Sequence, residues 1–154
     1  GTASVQFLKY LGIPAWVGGG CSDAQVMDQQ AAAEAGSSLM SAALSGTGFI
    51  HNLGMLAGGR TGSIELLVLC NEIAASVCKY ASSIVVTSET LASDVIHRAS
   101  FDNSFLMDSH TQDNYLNEMW MPQMFFRGSK DNWEEDGSLA MHDVVRAEID
   151  KILH

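Results

Sequence analysis

Basic residues are scarce in this chain: 8 lysines and arginines stand against 18 aspartates and glutamates in 154 residues, for a formal charge of −10. Binding a phosphate backbone takes clustered Lys and Arg. Arg127 and Lys130 are isolated among acids, so nucleic acid is not an expected partner. An acidic balance serves solubility and can also favour a cationic ligand. No apolar run approaches the roughly 20 residues that a membrane span needs. The opening Gly1-Thr2-Ala3-Ser4 shows no basic stretch followed by an apolar block, so neither a membrane nor a secretory signal is expected. Cysteines number three, Cys21, Cys70 and Cys78, with no CxxC pair. Eight helical residues separate the last two by ~12 Å, beyond disulfide reach. A reducing compartment, the cytoplasm, is the simplest expectation. Gly18-Gly19-Gly20 lacks both GxGxxG spacing and a GK[ST] ending. Asp23 just after it would repel phosphate, so a nucleotide site is not expected. Asp23 reads instead as a helix cap or a ligand for something positive.

Nearly half of the residues, 47%, are hydrophobic, enough for one domain with a real core. The most informative stretch is Gly48-Phe49-Ile50-His51-Asn52-Leu53-Gly54, continuing through Gly58-Gly59-Arg60 into Ser63-Ile64-Glu65. It has the grammar of one βα unit: a buried strand, a glycine-rich loop, then an apolar helix. In parallel α/β folds ligands gather outside the carboxyl ends of the strands. His51 and Asn52 fall at such an end and are the first residues to suspect of chemistry, although a histidine there also serves as a hydrogen-bonded spacer.

Upstream, residues 5–11 read as the last turns of a helix whose beginning is missing, with Gly12 as a left-handed cap. Ile13–Val17 is a short strand leading into the three glycines. Residues 24–44, rich in alanine and serine, form a helix able to pack closely on a sheet. Asp28 and Glu34 near its front complement the helix dipole, and Gly46 ends it. Thr61-Gly62-Ser63 offers caps for a helix over 64–78, with Glu65 in its first turn. That helix is apolar on most sides and expects more than one neighbour. Glu72 in its middle is either exposed with Asn71 and Lys79 or buried and paired. Ile84-Val85-Val86 is a third strand-like run. Thr87-Ser88-Glu89 starts another helix, with Leu91, Val95 and Ile96 inward. Residues 101–106 have the Asx and Ser content of a structured loop. His110-Thr111 begins a segment that Pro122 closes, residues 127–137 are turn-rich, and 138–153 form an amphipathic helix with Val145, Ile149, Ile152 and Leu153 on one side.

Strand–helix alternation predicts α/β with a parallel sheet. Two or three strands cannot shield both faces and both edges. The expected architecture is therefore a partial (β/α)8 barrel: its last two or three βα units over one domain of residues 1–154, with 101–154 a helical tail packing on the barrel.

The motifs at 20–31 (Gly-Cys-Ser-Asp-Ala-Gln-Val-Met-Asp-Gln-Gln-Ala), 50–56 (Ile-His-Asn-Leu-Gly-Met-Leu), 63–68 (Ser-Ile-Glu-Leu-Leu-Val) and 89–96 (Glu-Thr-Leu-Ala-Ser-Asp-Val-Ile) come in order along the chain. With His110-Thr111, Trp120-x-Pro122 and Trp133, they resemble the trimethylamine:corrinoid methyltransferase family. The resemblance implies a TIM barrel of which this chain matches the carboxy-terminal third or so. It implies methyl transfer from a tertiary or quaternary amine, of trimethylamine or glycine-betaine type, to the Co(I) of a corrinoid (cobalamin) carried by a partner protein and not by this chain. Such a cation is held by aromatic faces and a carboxylate, each aromatic contact worth ~0.5–2 kcal/mol. Trp16, Phe49 and Asp23 are the candidates by position, with Asn52. His51 matches the family's Ile-His pair and is the first choice for the catalytic contact. His110 is the second substrate contact, with a loop-structuring role as its alternative. Gly19 and Gly20 are expected to offer backbone to the corrinoid. Glu65 and Glu72 match family positions, but a cap and a buried structural partner suit them better. Some members carry pyrrolysine; none occurs here, which favours the branch acting on quaternary amines. A zinc site at Cys21 would have only His51 as an evident partner and is not expected. The competing class is a non-catalytic barrel fragment or a small-cation binding module, and self-association is left open.

Overall fold

The computed structural model describes residues 1–99 and 105–154. It is a mixed α/β structure, rich in helix, with short strands and no closed barrel among the described residues. Residues 1–81 and 122–154 form one compact unit and 82–121 a second.

In the first unit, helix α1 (Thr2–Tyr10) ends where Gly12 takes the expected left-handed conformation, φ +69°. Strand β1 (Trp16–Gly18) follows, later than the 13–17 expected. Helix α2 (Gln29–Leu44) begins at Gln29 and not at Ala24, because Asp28, and not Asp23, caps it: the Asp28 carboxylate accepts the Ala31 amide at 3.1 Å. Strand β2 (Phe49–His51) lies parallel to β1 in the register Trp16–Phe49, Val17–Ile50, Gly18–His51. A small antiparallel pair, β3 (Met55–Leu56) and β4 (Thr61–Gly62), then leads into α3 (Ile64–Ala81). The Ser63 hydroxyl caps α3 by accepting the Leu66 amide at 3.1 Å.

Alternation sorts the side chains of the parallel pair. Ile50 packs into the core that α2 and α3 share, with Ala31, Ala35, Leu39, Leu66 and Cys70. The wide apolar face of α3 finds its second neighbour in α8 (Met141–Leu153), through Leu69, Val145 and Met124. Before α8 in the chain comes α7 (Lys130–Glu135), a helix within the stretch expected to be turns, started by a Ser129 cap. On α8, Val145 is buried, but Ile152 and Leu153 are exposed, contrary to expectation. The helix ends there, and its last turn extends past the core.

In the second unit the expected strand at 84–86 is absent. Neither ladder among the described residues includes it, and the Val85 carbonyl accepts from the Thr90 hydroxyl at 2.8 Å. A strand without a partner leaves its backbone groups unpaired. The helix expected from Thr87 is broken into α4 (Ser88–Leu91) and α5 (Ser93–Arg98) by Ala92, at φ +48°. Val95 is buried as expected, while Leu91 and Ile96 are exposed. Of the expected loop at 101–106, residues 101–104 lie outside the described residues, and Phe105 and Leu106 enter a 3-10 turn at Phe105–Met107. Helix α6 (Ser109–Glu118) completes the unit, capped by Asp108. The expected tail thus divides: 105–121 belong to the second unit and 122–154 pack into the first.

Candidate functional site

The parallel register puts Trp16, Phe49 and His51 on one face of the β1–β2 pair, opposite the face that carries Ile50 toward α2. Trp16 meets the His51 ring edge-on, with ring centroids 6.3 Å apart and planes at 79°. Trp16 is 74% exposed and Phe49 61%. Two aromatic residues and an imidazole therefore line a sheet face that nothing in this unit covers.

At the carboxyl ends of the same strands lies a cleft of about 700 Å³, lined by Cys21, Ser22, Asp23, Glu34, Asn52 and Gly58 among others. Two of the expected contacts, Asp23 and Asn52, meet here. The Asn52 amide lies over Gly18, where an added Cβ would sit 3.6 Å from Asn52 Nδ2. Gly18 is paired with His51, so Asn52 stands where the aromatic face passes into the cleft. Asn52 itself is left-handed, φ +71°, a conformation that asparagine tolerates better than most residues.

Gly19 and Gly20 have a different employment from the one expected. The Gly19 amide donates to the His51 carbonyl at 3.0 Å, and the Gly20 amide to Ser38 Oγ at 3.0 Å. Both are buried, and a side chain on Gly20 (φ +72°) would press on Leu53 and on Cys70 Sγ. They let α2 and α3 approach the strand ends, and their amides are taken up inside the chain. Burial pushes the Cys70 thiol above its ordinary pKa, so it stays a protonated donor to the Gly20 carbonyl, at 3.3 Å.

Glu34, expected to complement the helix dipole, is the centre of a network. Its Oε2 accepts the Ser22 hydroxyl at 2.6 Å and the Asp23 amide at 2.9 Å, and Gln30 Nε2 donates to its Oε1 at 2.9 Å. These bonds, that from Ser22 first, hold its carboxyl below the usual glutamate range. Sequence spacing gave no signal of it, because Ser22 lies twelve residues upstream.

Glu72 is buried and structural. Its Oε1 accepts the successive amides of Gln123, Met124 and Phe125 at 2.8, 3.0 and 3.3 Å. Glu65 sits in the first turn of α3, with Ser63 Oγ donating to it at 3.2 Å. His110 belongs to the second unit. Its ring Nε2 lies 2.9 Å from the Glu89 carbonyl, a bond that requires the proton on Nε2. The Asp108 carboxyl accepts the His110 amide and pairs with Arg98 at 3.0 Å, and both hold it below its ordinary range. Among the described residues no three His, Cys, Asp or Glu side chains gather as a metal-ligand set, and no helix is long and apolar enough to cross a membrane.

Compared with known proteins, residues 2–154 match the family model described as trimethylamine methyltransferase. A glycine betaine methyltransferase of Desulfitobacterium hafniense is 31% identical over 136 residues, 88% of this chain and 28% of that protein. A trimethylamine methyltransferase of Methanosarcina barkeri is 32% identical over 151 residues, 98% of this chain and 30% of its own length. One from Methanosarcina acetivorans is 34% identical over 155 residues, 99% and 30% respectively. The chain spans under a third of the length of these relatives.

Proposed function

The chain belongs to the trimethylamine methyltransferase family, and on that premise we propose that it is the carboxy-terminal part of a (β/α)8 enzyme that demethylates a tertiary or quaternary amine. One observation carries the reading: Trp16, Phe49 and His51 occupy the uncovered sheet face opposite α2. In a (β/α)8 barrel the helices cover the outside, the opposite face of each strand looks inward, and the site lies at the carboxyl ends. A wall of such a barrel, seen alone, would expose its inward aromatics as this one does.

The methyl donor is of trimethylamine or glycine-betaine type, and the acceptor is the Co(I) of a corrinoid on a partner protein, which supplies the nucleophile. The chain's own residues bind and orient. Trp16 and Phe49 present π faces to the N-methyl cation, Asp23 balances its charge from the cleft, and His51, held edge-on by Trp16, makes the polar contact that sets which methyl points outward. When the C–N bond of a quaternary donor breaks, its electron pair returns to nitrogen and a neutral amine leaves. A tertiary donor leaves as a neutral amine when it enters as its ammonium ion, whose proton stays on nitrogen. Little proton transfer within the site is then needed, so catalysis is chiefly orientation and exclusion of water.

The test uses the full-length polypeptide, a reduced corrinoid protein, and trimethylamine or glycine betaine, with loss of the N-methyl group measured. Wild type is expected to turn over at least one of them, and His51→Ala to lower turnover about tenfold or more. Unchanged turnover in His51→Ala would remove His51 from the mechanism. Calorimetric binding of betaine with no transfer would point to a cation-binding module instead.

A further inference from the structure

We propose that Glu34 is a positioning residue for Asp23: from α2 it clamps the β1–α2 loop so that the Asp23 carboxylate is presented to the cleft. The proposal rests on the amine reading above and assigns to Glu34 a part in setting affinity for the cation.

The loop is held from two sides. On the α2 side, Glu34 Oε2 takes the Ser22 hydroxyl and the Asp23 amide together. The same Ser22 oxygen accepts the Ala24 amide at 2.9 Å. On the other side the loop is stitched to the segment after β2, where the Ser22 amide donates to the Met55 carbonyl at 2.9 Å and the Ala57 amide to the Ala24 carbonyl at 3.0 Å. Ser22 is buried, which limits water as a replacement partner for its hydroxyl. Of the three anchored residues, Ser22 and Ala24 are buried and Asp23 is exposed. Its Oδ1 stands 3.6 Å from the place where a Cβ on Gly58 would be, at the rim of the cleft.

Glu34 also lines the cleft, yet it is poorly suited to meet the ligand itself. Both of its oxygens already accept, from three donors on Ser22, Asp23 and Gln30. Hydrogen bonds to an ionised carboxylate are short and roughly twice as strong as neutral ones, so withdrawing them for a cation would cost the loop its anchor. Glu34 therefore acts through Asp23.

The test is a double-mutant cycle in the full-length polypeptide, reading KM and kcat separately for glycine betaine and trimethylamine. Glu34→Ala is expected to raise KM about tenfold while kcat stays within about twofold, and Glu34→Gln, whose carbonyl still accepts, to hold KM within about threefold of wild type. On an Asp23→Asn background, Glu34→Ala is expected to add less than about twofold in KM. Full additivity would mean that Glu34 meets the ligand directly and would overturn the proposal, as would equal losses in the Ala and Gln variants. Amide hydrogen exchange separates this outcome from failure of the amine reading. Even if the wild type demethylates neither amine, the Asp23 and Ala24 amides should exchange faster in Glu34→Ala but not in Glu34→Gln, with the Leu66 and Cys70 amides unchanged. Unchanged exchange at Asp23 in Glu34→Ala overturns the proposal. Should that variant lose the Leu66 protection as well, Ser22→Ala removes one arm of the clamp and leaves the Asp23–Glu34 bond in place; faster exchange at Asp23 is then expected, and unchanged exchange there overturns the proposal.

Discussion

Glu72 is 3% exposed, and one of its oxygens takes three successive backbone amides from residues 123–125. Each amide left without an acceptor in the interior costs about 1–3 kcal/mol. Glu72→Ala should therefore lose about 3 kcal/mol or more in urea denaturation, and Glu72→Gln clearly less, because its carbonyl can still accept. Equal losses would mean that packing, and not the hydrogen bonds, anchors this segment to α3. Glu34 makes a different prediction, one of pH. Its hydrogen bonds lower its pKa in the folded state below the ordinary 4.5. A carboxyl depressed on folding stabilises fully above its unfolded pKa and loses that contribution as pH falls through the folded value. The melting-temperature advantage of wild type over Glu34→Gln should thus be constant at neutral pH and shrink below about pH 4.5. An advantage that grew with acid would contradict the network. These two residues also mark the limits of legibility at this scale. That β2 ends at His51 is readable because an apolar run stops there, and that is a local signal. Gln30 is four residues from Glu34, a helical spacing, but Ser22 lies 12 residues from Glu34 and the amides that Glu72 accepts lie about 50 away, where no spacing rule reaches.

Local chemistry also decided which elements could be read in advance. Gly12 and Gly46 end α1 and α2 with φ of +69° and +70°, and Ser63 starts α3; each is a turn or cap residue whose own backbone carries the message. The sequence points to Ala24 as the start of α2 and the structure starts it at Gln29, because Asp23 and Asp28 are equally good caps in isolation and the Asp28 side chain is the one that takes a helix amide. The run 84–86 looked like a strand from β-branching alone, but a strand exists only with a partner. Two glycine–alanine exchanges test the joints between elements. Gly54, at φ +77°, lies where a Cβ would be 2.8 Å from Leu67 Cβ and 3.1 Å from the Ser63 carbonyl oxygen. Gly54→Ala is expected to destabilise by about 2–3 kcal/mol, from backbone strain and overpacking together. Ala92 holds a left-handed conformation at the α4–α5 break, which costs roughly 1 kcal/mol in a residue with a Cβ. Ala92→Gly should then leave stability unchanged or raise it by up to about 1 kcal/mol, with the residue's larger unfolded-state entropy working against the gain. A loss beyond about 1 kcal/mol would show that the break is not held in that conformation.

For the whole molecule, the apolar surface on the open face of β1–β2 contrasts with a chain of charge −10. A self-contained domain of this composition would turn Trp16 and Phe49 inward, since a fully buried aromatic side chain contributes about 1.5–3 kcal/mol. Here the helices cover one face only, and the family relatives are more than three times as long as the matched region. Both facts favour a wall that is finished by other strands. The two situations separate in one substitution measured twice. In this chain alone Trp16→Ala should change urea stability by less than about 1 kcal/mol, because only a quarter of the residue is covered and surface changes are usually small. On the amine reading proposed above, the same substitution in the full-length polypeptide would remove one π face from the amine and should raise KM by about tenfold, in line with about 1 kcal/mol or more for a desolvated cation–π contact. An unfolded Trp16→Ala chain would mean that the face is already part of a closed interior. A variant silent in both settings would leave the aromatic pair as ordinary surface and return the search for the cation site to the cleft around Asp23.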